Sequence, residues 1–309
     1  VAGRKMKKDF EGIFERQMHR YLNAAMGFMH TGQRDQIWCR VSKVAYAAGF
    51  RLKHIGTIVH AKLHDEFGGL VDKVAVTVMT VPAKVQALLG RAGPINQGRD
   101  ERVAGMTDES VDTFYSCTLC QSFAPNHVCV ITPERLGLCG AYNWLDGQAA
   151  HEINPTGPNQ PILKGACINE RSGEWENVNK FVYGHSNRTI ERFSAYSLLD
   201  NPMTSCGCFE CIVAIVPEAN GVMVVNREHT GMTPIGMAFS TLAGSVGGGA
   251  QTPGFLGVGR LYLSSRKFIA AEGGLRRLVW MPKELKEALR GKLQQRAAEQ
   301  GLTGFVDQI

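Results

Sequence analysis

Six cysteines and one glycine are the residues whose types and spacing point to chemistry. The first four thiols lie in one stretch of the chain, at Cys117, Cys120, Cys129 and Cys139. Four thiolates at short, unequal spacings are what an iron–sulfur cluster requires, because each iron takes one terminal sulfur from the protein. Further along, Cys206-Gly207-Cys208 places two thiolates around backbone amide nitrogens. Such a planar nitrogen–sulfur donor set suits Ni(II) or Cu(II).

Three kinds of site compete for the first four cysteines. Cys117 and Cys120 have the spacing of half a zinc site, but the later two thiols are spaced too widely for a zinc knuckle. A simple electron-transfer [4Fe–4S] cluster explains four thiols and leaves the Cys-Gly-Cys without a role. A nickel-bearing composite cluster explains both groups. The remaining cysteines are expected to be small core residues, since free cysteine is among the most buried residue types; they are Cys39, Cys167 and Cys211.

The composition sets limits on the class of protein. At 309 residues, with 44% hydrophobic and 20% charged residues, the chain has room for about two domains. The clustering of its nine cysteines favours metal binding in a reducing cytoplasm over a disulfide framework. No apolar stretch reaches the length of about 20 residues that spans a bilayer, and the net charge of +6 comes without dense Lys/Arg runs. We therefore expect no membrane and no nucleic acid as partners.

The elements that must position these cysteines are predicted to form an α+β fold of two mixed helix/sheet domains. Residues 1–95 are assigned to the first domain and residues 96–309 to the second, which carries the cysteines. Apolar residues at helical spacing predict helices over residues 5–29, 37–48 and 55–67. Residues 74–81 are predicted as a strand, Pro82 as the start of a helix to residue 89, and residues 90–105 as the link between domains.

The second domain shows further patterns. Thr107 is expected to cap a helix that leads into the first cysteine. Residues 210–227 predict a hairpin with its turn at Asn220-Gly221. A strand is predicted over residues 275–280 and a charged helix over residues 283–299.

The cysteine spacing and its flanks resemble the acetyl-CoA synthase family, nickel enzymes of the reductive acetyl-CoA pathway. The flanks that agree are Phe114-Tyr115-Ser116, residues 121–127 and Met203-Thr204-Ser205, and the resemblance covers essentially the whole chain. It implies a dinuclear nickel site bridged to a [4Fe–4S] cubane, held by seven residues. The cubane ligands would be Cys117, Cys120, Cys129 and Cys139.

The same resemblance assigns the nickel ligands. Cys120 would also bridge to a proximal nickel, and Cys206 and Cys208 would bridge the proximal and distal nickels. The amide nitrogens of Gly207 and Cys208 would complete a plane around the distal metal. The proximal metal would keep an open position, and zinc or copper could replace it because geometry rather than affinity separates these metals.

Other residues near the cysteines have competing interpretations. Phe123 is either an ordinary core aromatic or, as the resemblance implies, an aromatic wall beside the open nickel position. The glycine-rich residues 243–250 fit no nucleotide-binding pattern, and either approach the cluster closely or form a flexible connection. His127 is a candidate hydrogen-bond donor to a cluster sulfur.

The resemblance implies an enzyme that condenses three substrates into acetyl-CoA: a methyl group from a methylated corrinoid iron–sulfur protein, carbon monoxide and coenzyme A. The alternatives are an iron–sulfur electron carrier without nickel chemistry and a zinc-stapled binding module. The chain begins at Val1, and we expect a fragment that does not bind carbon monoxide dehydrogenase, since the family's docking domain lies before this region. Candidate arginines for coenzyme A are Arg34, Arg40, Arg51, Arg260 and Arg266.

Overall fold

The structure is a computed structural model that describes residues 1–5, 11–32 and 37–309, and it has the expected α+β class. The helices are α1 (Glu11–Asn23), α2 (Lys43–Ala47), α3 (His54–Phe67), α4 (Pro82–Glu101), α5 (Trp144–Ile153), α6 (Glu176–His185), α7 (Phe239–Val246), α8 (Lys283–Glu299) and α9 (Phe305–Gln308). The strands are β1 (Phe28–Gly32), β2 (Ile37–Val41), β3 (Thr113–Cys117), β4 (Cys129–Ile131), β5 (Pro161–Leu163), β6 (Cys167–Asn169), β7 (Glu174–Trp175), β8 (Cys211–Val216), β9 (Gly221–Asn226), β10 (Phe255–Val258) and β11 (Leu278–Trp280). None of the helices in these ranges is both long and apolar enough to cross a bilayer.

Helices α1 and α3 pack against each other through the apolar faces that the spacing of their hydrophobic residues predicts. Phe14 of α1 meets Phe67 of α3 edge-on, with ring centroids 4.8 Å apart, and both side chains are buried. The helix expected over residues 5–29 is shorter, because the chain turns after Asn23 and enters β1 at Phe28; residues 6–10 lie outside the described residues. α1 also contacts the 3-10 helix Leu119–Ser122, which carries Cys120.

The helix expected over residues 37–48 is wrong in its first half. Residues 37–41 form β2, which pairs antiparallel with β1 from Phe28↔Val41 to Gly32↔Ile37. The helix begins only after Ser42, whose side chain accepts a hydrogen bond from the Ala45 backbone N–H at 3.1 Å. Ser42 is therefore a helix cap and not a residue inside a helix.

The strand expected over residues 74–81 is also wrong. Val76, Val78 and Val81 are exposed, and no strand lies beside this segment among the described residues. β-branched residues favour strands only where neighbouring strands and a packed face receive them. Pro82 does begin a helix, α4, but that helix continues through Pro94 to Glu101, so the segment expected as a link is largely helical. The division of the chain at residue 95 stays a prediction, and α4 runs across it.

The second half is built on a four-stranded sheet in the order β10-β8-β9-β11. The predicted hairpin is confirmed: β8 and β9 pair antiparallel from Cys211↔Asn226 to Val216↔Gly221, and Asn220 takes the left-handed conformation in the turn. The strand expected over residues 275–280 is confined to β11, whereas the predicted helix α8 is confirmed and buries Leu285, Leu289 and Leu293.

Gly257 in β10 supports the loop that leads into β8. Its backbone N–H donates to Ser205 Oγ at 3.0 Å, and an added Cβ would lie 2.5 Å from Cδ1 of the buried Phe209 ring. We expect Gly257→Ala to lower the free energy of unfolding by about 1–3 kcal/mol, because overpacking forces neighbours to shift. The midpoint of urea unfolding measures this change.

Gly244 provides the control for that substitution. It lies exposed in α7, and an added Cβ there meets no heavy atom within 4 Å. Gly244→Ala is expected to raise stability by about 0.5–1 kcal/mol, since alanine restricts the unfolded chain more than glycine does. Equal unfolding midpoints for the two variants would contradict the assignment of a tight contact at Gly257.

Candidate metal centre

Three of the predicted ligands meet in the structure. The Sγ atoms of Cys120, Cys206 and Cys208 all lie within 4.8 Å of one another, and all three residues are buried. Cys120 sits in the 3-10 helix Leu119–Ser122, and the other two lie in the loop that leads into β8. Nearly 90 residues of sequence separate the two segments, so the tertiary fold brings them together.

The Cys206–Cys208 turn has a conformation that favours glycine. Gly207 has φ of +126°, a region that residues with a side chain rarely occupy. The backbone N–H of Cys208 lies 3.3 Å from Cys206 Sγ and donates to it. The turn therefore brings a sulfur and a backbone amide nitrogen, both possible metal donors, close together.

The other predicted cubane ligands lie nearby. Cys117 and Cys129 are directly opposite each other in the antiparallel pair β3–β4. Cys139 packs in one buried cluster with Cys120, Cys206 and Cys208. The segment that carries Cys139 is joined to the Cys-Gly-Cys loop by a hydrogen bond: Glu210 N–H, two residues after Cys208, donates to the Leu138 carbonyl at 3.1 Å.

The electrostatics of these thiols follow from their mutual contact and burial. Hydrogen bonds with Cys206 and Cys208, followed by burial, raise the pKa of the Cys120 thiol well above its usual value. Burial raises the pKa of Cys129, and the charges of Cys117 and Cys139 add to that increase. A bound cation would instead favour the deprotonated form of these thiols, because a thiol must lose its proton to become a metal ligand. The clustered sulfur donors thus fit a thiophilic metal.

Phe123 lies against this cluster and is only partly buried. A Cβ placed on Gly207 would be 3.8 Å from Cε2 of its ring. The side chain therefore stands beside the Cys-Gly-Cys turn, at the boundary between the sulfur cluster and solvent.

His127 is fully buried close to the cluster. Its Nδ1 lies 2.9 Å from Thr204 Oγ1, and burial lowers its pKa to about 4, against an opposing contribution from Cys208. The ring is therefore neutral near pH 7. This charge state suits a hydrogen-bonding role and leaves the cluster's charge unchanged.

The glycine-rich stretch approaches the cluster, in agreement with one of its two interpretations. Gly249 N–H donates to the Ser205 carbonyl at 2.8 Å, and a Cβ on Gly249 would lie 3.0 Å from His127 N. A Cβ on Gly247 would lie 3.6 Å from the Cys206 carbonyl oxygen. The absence of side chains here lets the backbone close over the turn.

Two arginines that sequence analysis did not identify lie near the sulfurs. Arg227 donates through Nη2 to the Gly207 carbonyl oxygen at 2.5 Å. Arg135 is buried over the Tyr262 ring and donates a hydrogen bond to the Ala195 carbonyl, while its Nε and Nη2 have no described partner. Its positive charge opposes the burial that raises the pKa of Cys129. The predicted hairpin could have indicated Arg227, because pairing Cys211 with Asn226 brings the chain back beside the Cys-Gly-Cys turn.

The three remaining cysteines divide between surface and core. Cys211 is buried in β8, as expected. Cys39 and Cys167 are exposed, so the prediction that both are core residues is wrong. Each lies in a two-stranded sheet, β1–β2 or β6–β7, which gives limited cover to its faces.

Two family models match the chain. The model for the C-terminal part of the ACS/CODH beta subunit matches residues 96–309. The model described as CO dehydrogenase/acetyl-CoA synthase complex beta subunit matches residues 1–85.

Curated proteins match nearly the whole chain. The carbon monoxide dehydrogenase/acetyl-CoA synthase subunit alpha of Moorella thermoacetica is 56% identical, over 100% of this chain and 42% of that protein. The acetyl-CoA decarbonylase/synthase complex subunit beta of Methanopyrus kandleri is 50% identical, over 94% of this chain and 62% of that protein. The chain thus spans between 42% and 62% of the length of these two relatives.

A solved structure of the C-terminal domain of the acetyl-Coenzyme A synthase alpha subunit is 57% identical and covers 33% of this chain and 76% of that chain, with a TM-score of 0.31. The family match over residues 96–309 extends over more than half of the chain. The chain therefore belongs to the carbon monoxide dehydrogenase/acetyl-CoA synthase family.

Proposed function

We propose that this chain carries the metal centre of an acetyl-CoA synthase. It would condense a methyl group from a methylated corrinoid iron–sulfur protein, carbon monoxide and coenzyme A into acetyl-CoA at a nickel–nickel–[4Fe–4S] cluster. The observation that carries the proposal is the convergence of the Cys120, Cys206 and Cys208 thiols around a positive-φ glycine. The names of the relatives support it, since one is a carbon monoxide dehydrogenase/acetyl-CoA synthase subunit.

The proposed ligand set follows the geometry of the sulfurs. The cubane would be held by Cys117, Cys120, Cys129 and Cys139, and the nickels by Cys120, Cys206, Cys208 and the Gly207 and Cys208 amides. When bound, the nickel pair supplies open coordination positions for methyl and carbon monoxide, and zinc or copper can occupy the proximal position. The opposed pair Cys117–Cys129 and the clustering of Cys139 with Cys120 support this assignment.

The protein's own part in the reaction is to shape and dry the site. Phe123 is partly buried against the sulfur cluster beside Gly207, where its ring would limit the entry of water and of bulky ligands. Such exclusion of water strengthens electrostatic interactions inside the site. His127, neutral and fixed by Thr204, keeps the inner wall in place.

The candidate arginines for coenzyme A differ in their surroundings. Arg260 pairs with Glu228 at 2.6 Å and Arg266 with Glu299 at 3.4 Å, so both already have anionic partners. Arg40 and Arg51 are exposed, and Arg34 lies outside the described residues. We therefore favour Arg40 and Arg51 as phosphate contacts, because a guanidinium at the surface can accept a new anionic partner at low cost.

Metal analysis of the anaerobically purified chain tests the proposal. After reconstitution with iron and sulfide, incubation with Ni(II) and desalting, we expect about four irons and about two nickels per chain, in accord with the ligand count. Formation of acetyl-CoA from a methylated corrinoid protein, carbon monoxide and coenzyme A is the matching activity.

The two other candidate functions give different metal contents. Four irons without nickel would contradict the synthase proposal and support an electron carrier. Zinc alone, with stability in air, would support a zinc-stapled binding module. If the chain contains copper together with four irons, the ligand assignment still holds, and copper has replaced the metal at the proximal position.

A further inference from the structure

Arg227 contacts the backbone of the Cys-Gly-Cys turn directly. Its Nη2 donates to the Gly207 carbonyl oxygen at 2.5 Å and also lies 3.3 Å from the Phe209 carbonyl oxygen. The side chain is half-buried, with Cζ 5.5 Å from the Phe209 ring centroid and 5.0 Å from that of Phe239. Two aromatic faces and two carbonyls therefore define the position of the guanidinium.

The Gly207 carbonyl belongs to the peptide bond whose nitrogen is that of Cys208. Because a trans peptide is planar, its oxygen and its N–H point in opposite directions. The oxygen points to Arg227, and the N–H points to Cys206 Sγ at 3.3 Å. Binding the oxygen on one side therefore orients the nitrogen toward the sulfurs on the other.

The charge of Arg227 has the sign that a thiolate–amide metal site needs. Nickel held by two thiolates and two anionic amides carries net negative charge, and a buried charge is costly unless it is paired. The guanidinium hydrogen-bonds to the carbonyls on both sides of Cys208, those of Gly207 and Phe209, so its charge lies beside the turn. The amide also shares its charge with the carbonyl oxygen, which strengthens the hydrogen bond it accepts.

We propose that Arg227 is a positioning residue for nickel: it holds the Gly207–Cys208 peptide in its metal-binding orientation and supplies the positive charge that balances the occupied site. This inference rests on the proposed function, because it requires nickel in the Cys-Gly-Cys turn. It adds a residue outside the ligand set that the cysteine spacing predicts.

Nickel affinity of variants at Arg227 tests the inference. The chain is reconstituted with iron and sulfide, and Ni(II) is titrated against a chelator of known affinity while the absorption of planar Ni(II) is recorded. Arg227→Met is expected to weaken nickel binding by about 10–100-fold, the usual effect of losing a group that orients a ligand. Arg227→Lys, which keeps the charge, is expected to restore part of the affinity and the planar absorption band, and Arg227→Gln less of both.

Arg277 provides a matched control, since it also donates to two backbone carbonyls, those of Glu272 at 2.9 Å and Asn220 at 3.1 Å. Arg277→Met should lower the unfolding midpoint and leave nickel affinity unchanged. Wild-type affinity and absorption in Arg227→Met would overturn the inference. If that variant does not retain its iron, wild-type nickel binding in Arg227→Gln overturns it in the same way. A wild-type chain that takes up iron but no nickel would instead contradict the proposed function, and the inference with it.

Discussion

Replacing Cys206 with serine is expected to remove nickel from the chain and leave most of its iron. In the proposed ligand set Cys206 would hold nickel, whereas the four cubane ligands would be other cysteines. We expect nickel affinity to fall by about 100-fold or more, since changes to groups that only orient ligands already cost about 10–100-fold. Acetyl-CoA formation should be lost with the nickel. Metal content per chain and the rate of acetyl-CoA formation measure the two effects.

Cys211 gives the control for this prediction. It lies three residues after Cys208 and is buried in β8, but it is not part of the group of thiols that lie within 4.8 Å of one another. Cys211→Ala should leave nickel and iron at wild-type levels, with a modest loss of stability. Nickel retained in Cys206→Ser, or lost equally in both variants, would refute the role assigned to the turn.

Candidate ligands can be named from the sequence more directly than the fold of the first half of the chain. Ligand types and spacings are local, so the sequence alone suggests Cys117, Cys120 and the Cys-Gly-Cys as candidate metal ligands. The convergence of Cys120 with Cys206 depends on contacts between segments nearly 90 residues apart, which no local pattern contains. Arg227 was missed for a different reason: the predicted hairpin returns β9 beside Glu210, but it does not show that the Arg227 guanidinium reaches the Gly207 carbonyl.

The errors in the fold have a similar origin. Residues 74–81 have side chains that favour strands. However, β propensity depends on packing against neighbouring strands, and the sequence of one segment does not show whether such neighbours exist. Gly93-Pro94, Asn96 and Gly98 suggested a link, but glycine weakens a helix by only about 1 kcal/mol, and α4 continues through Pro94. In contrast, the β8–β9 hairpin and α8 were predicted well, since a tight turn and a regular apolar face are local features.

Gly207→Ala is the substitution that best separates a nickel site from a purely structural turn. An added Cβ has room, because the nearest atom is Phe123 Cε2 at 3.8 Å. The penalty is therefore conformational: φ of +126° is strained for alanine, by about 1–3 kcal/mol. An alanine that keeps this φ is strained, and one that relaxes it moves the Cys206 and Cys208 donors apart from the arrangement that the structure shows. Since about 1.4 kcal/mol corresponds to a tenfold change in affinity, nickel binding should weaken about 5–150-fold while iron stays bound.

Gly273 allows the strain itself to be separated from the effect on nickel. Its φ is +115°, and a Cβ there would lie 3.4 Å from the flexible side chain of Arg277, away from the cysteines. Gly273→Ala should lower the unfolding midpoint and keep wild-type nickel affinity, whereas Gly207→Ala should weaken nickel binding. If Gly207→Ala also binds nickel like the wild type, the turn does not need glycine to hold metal, and the conformational penalty assigned to Gly207 is refuted. If it binds nickel weakly with its iron intact while Gly273→Ala binds nickel normally, the positive φ of Gly207 contributes to metal binding itself.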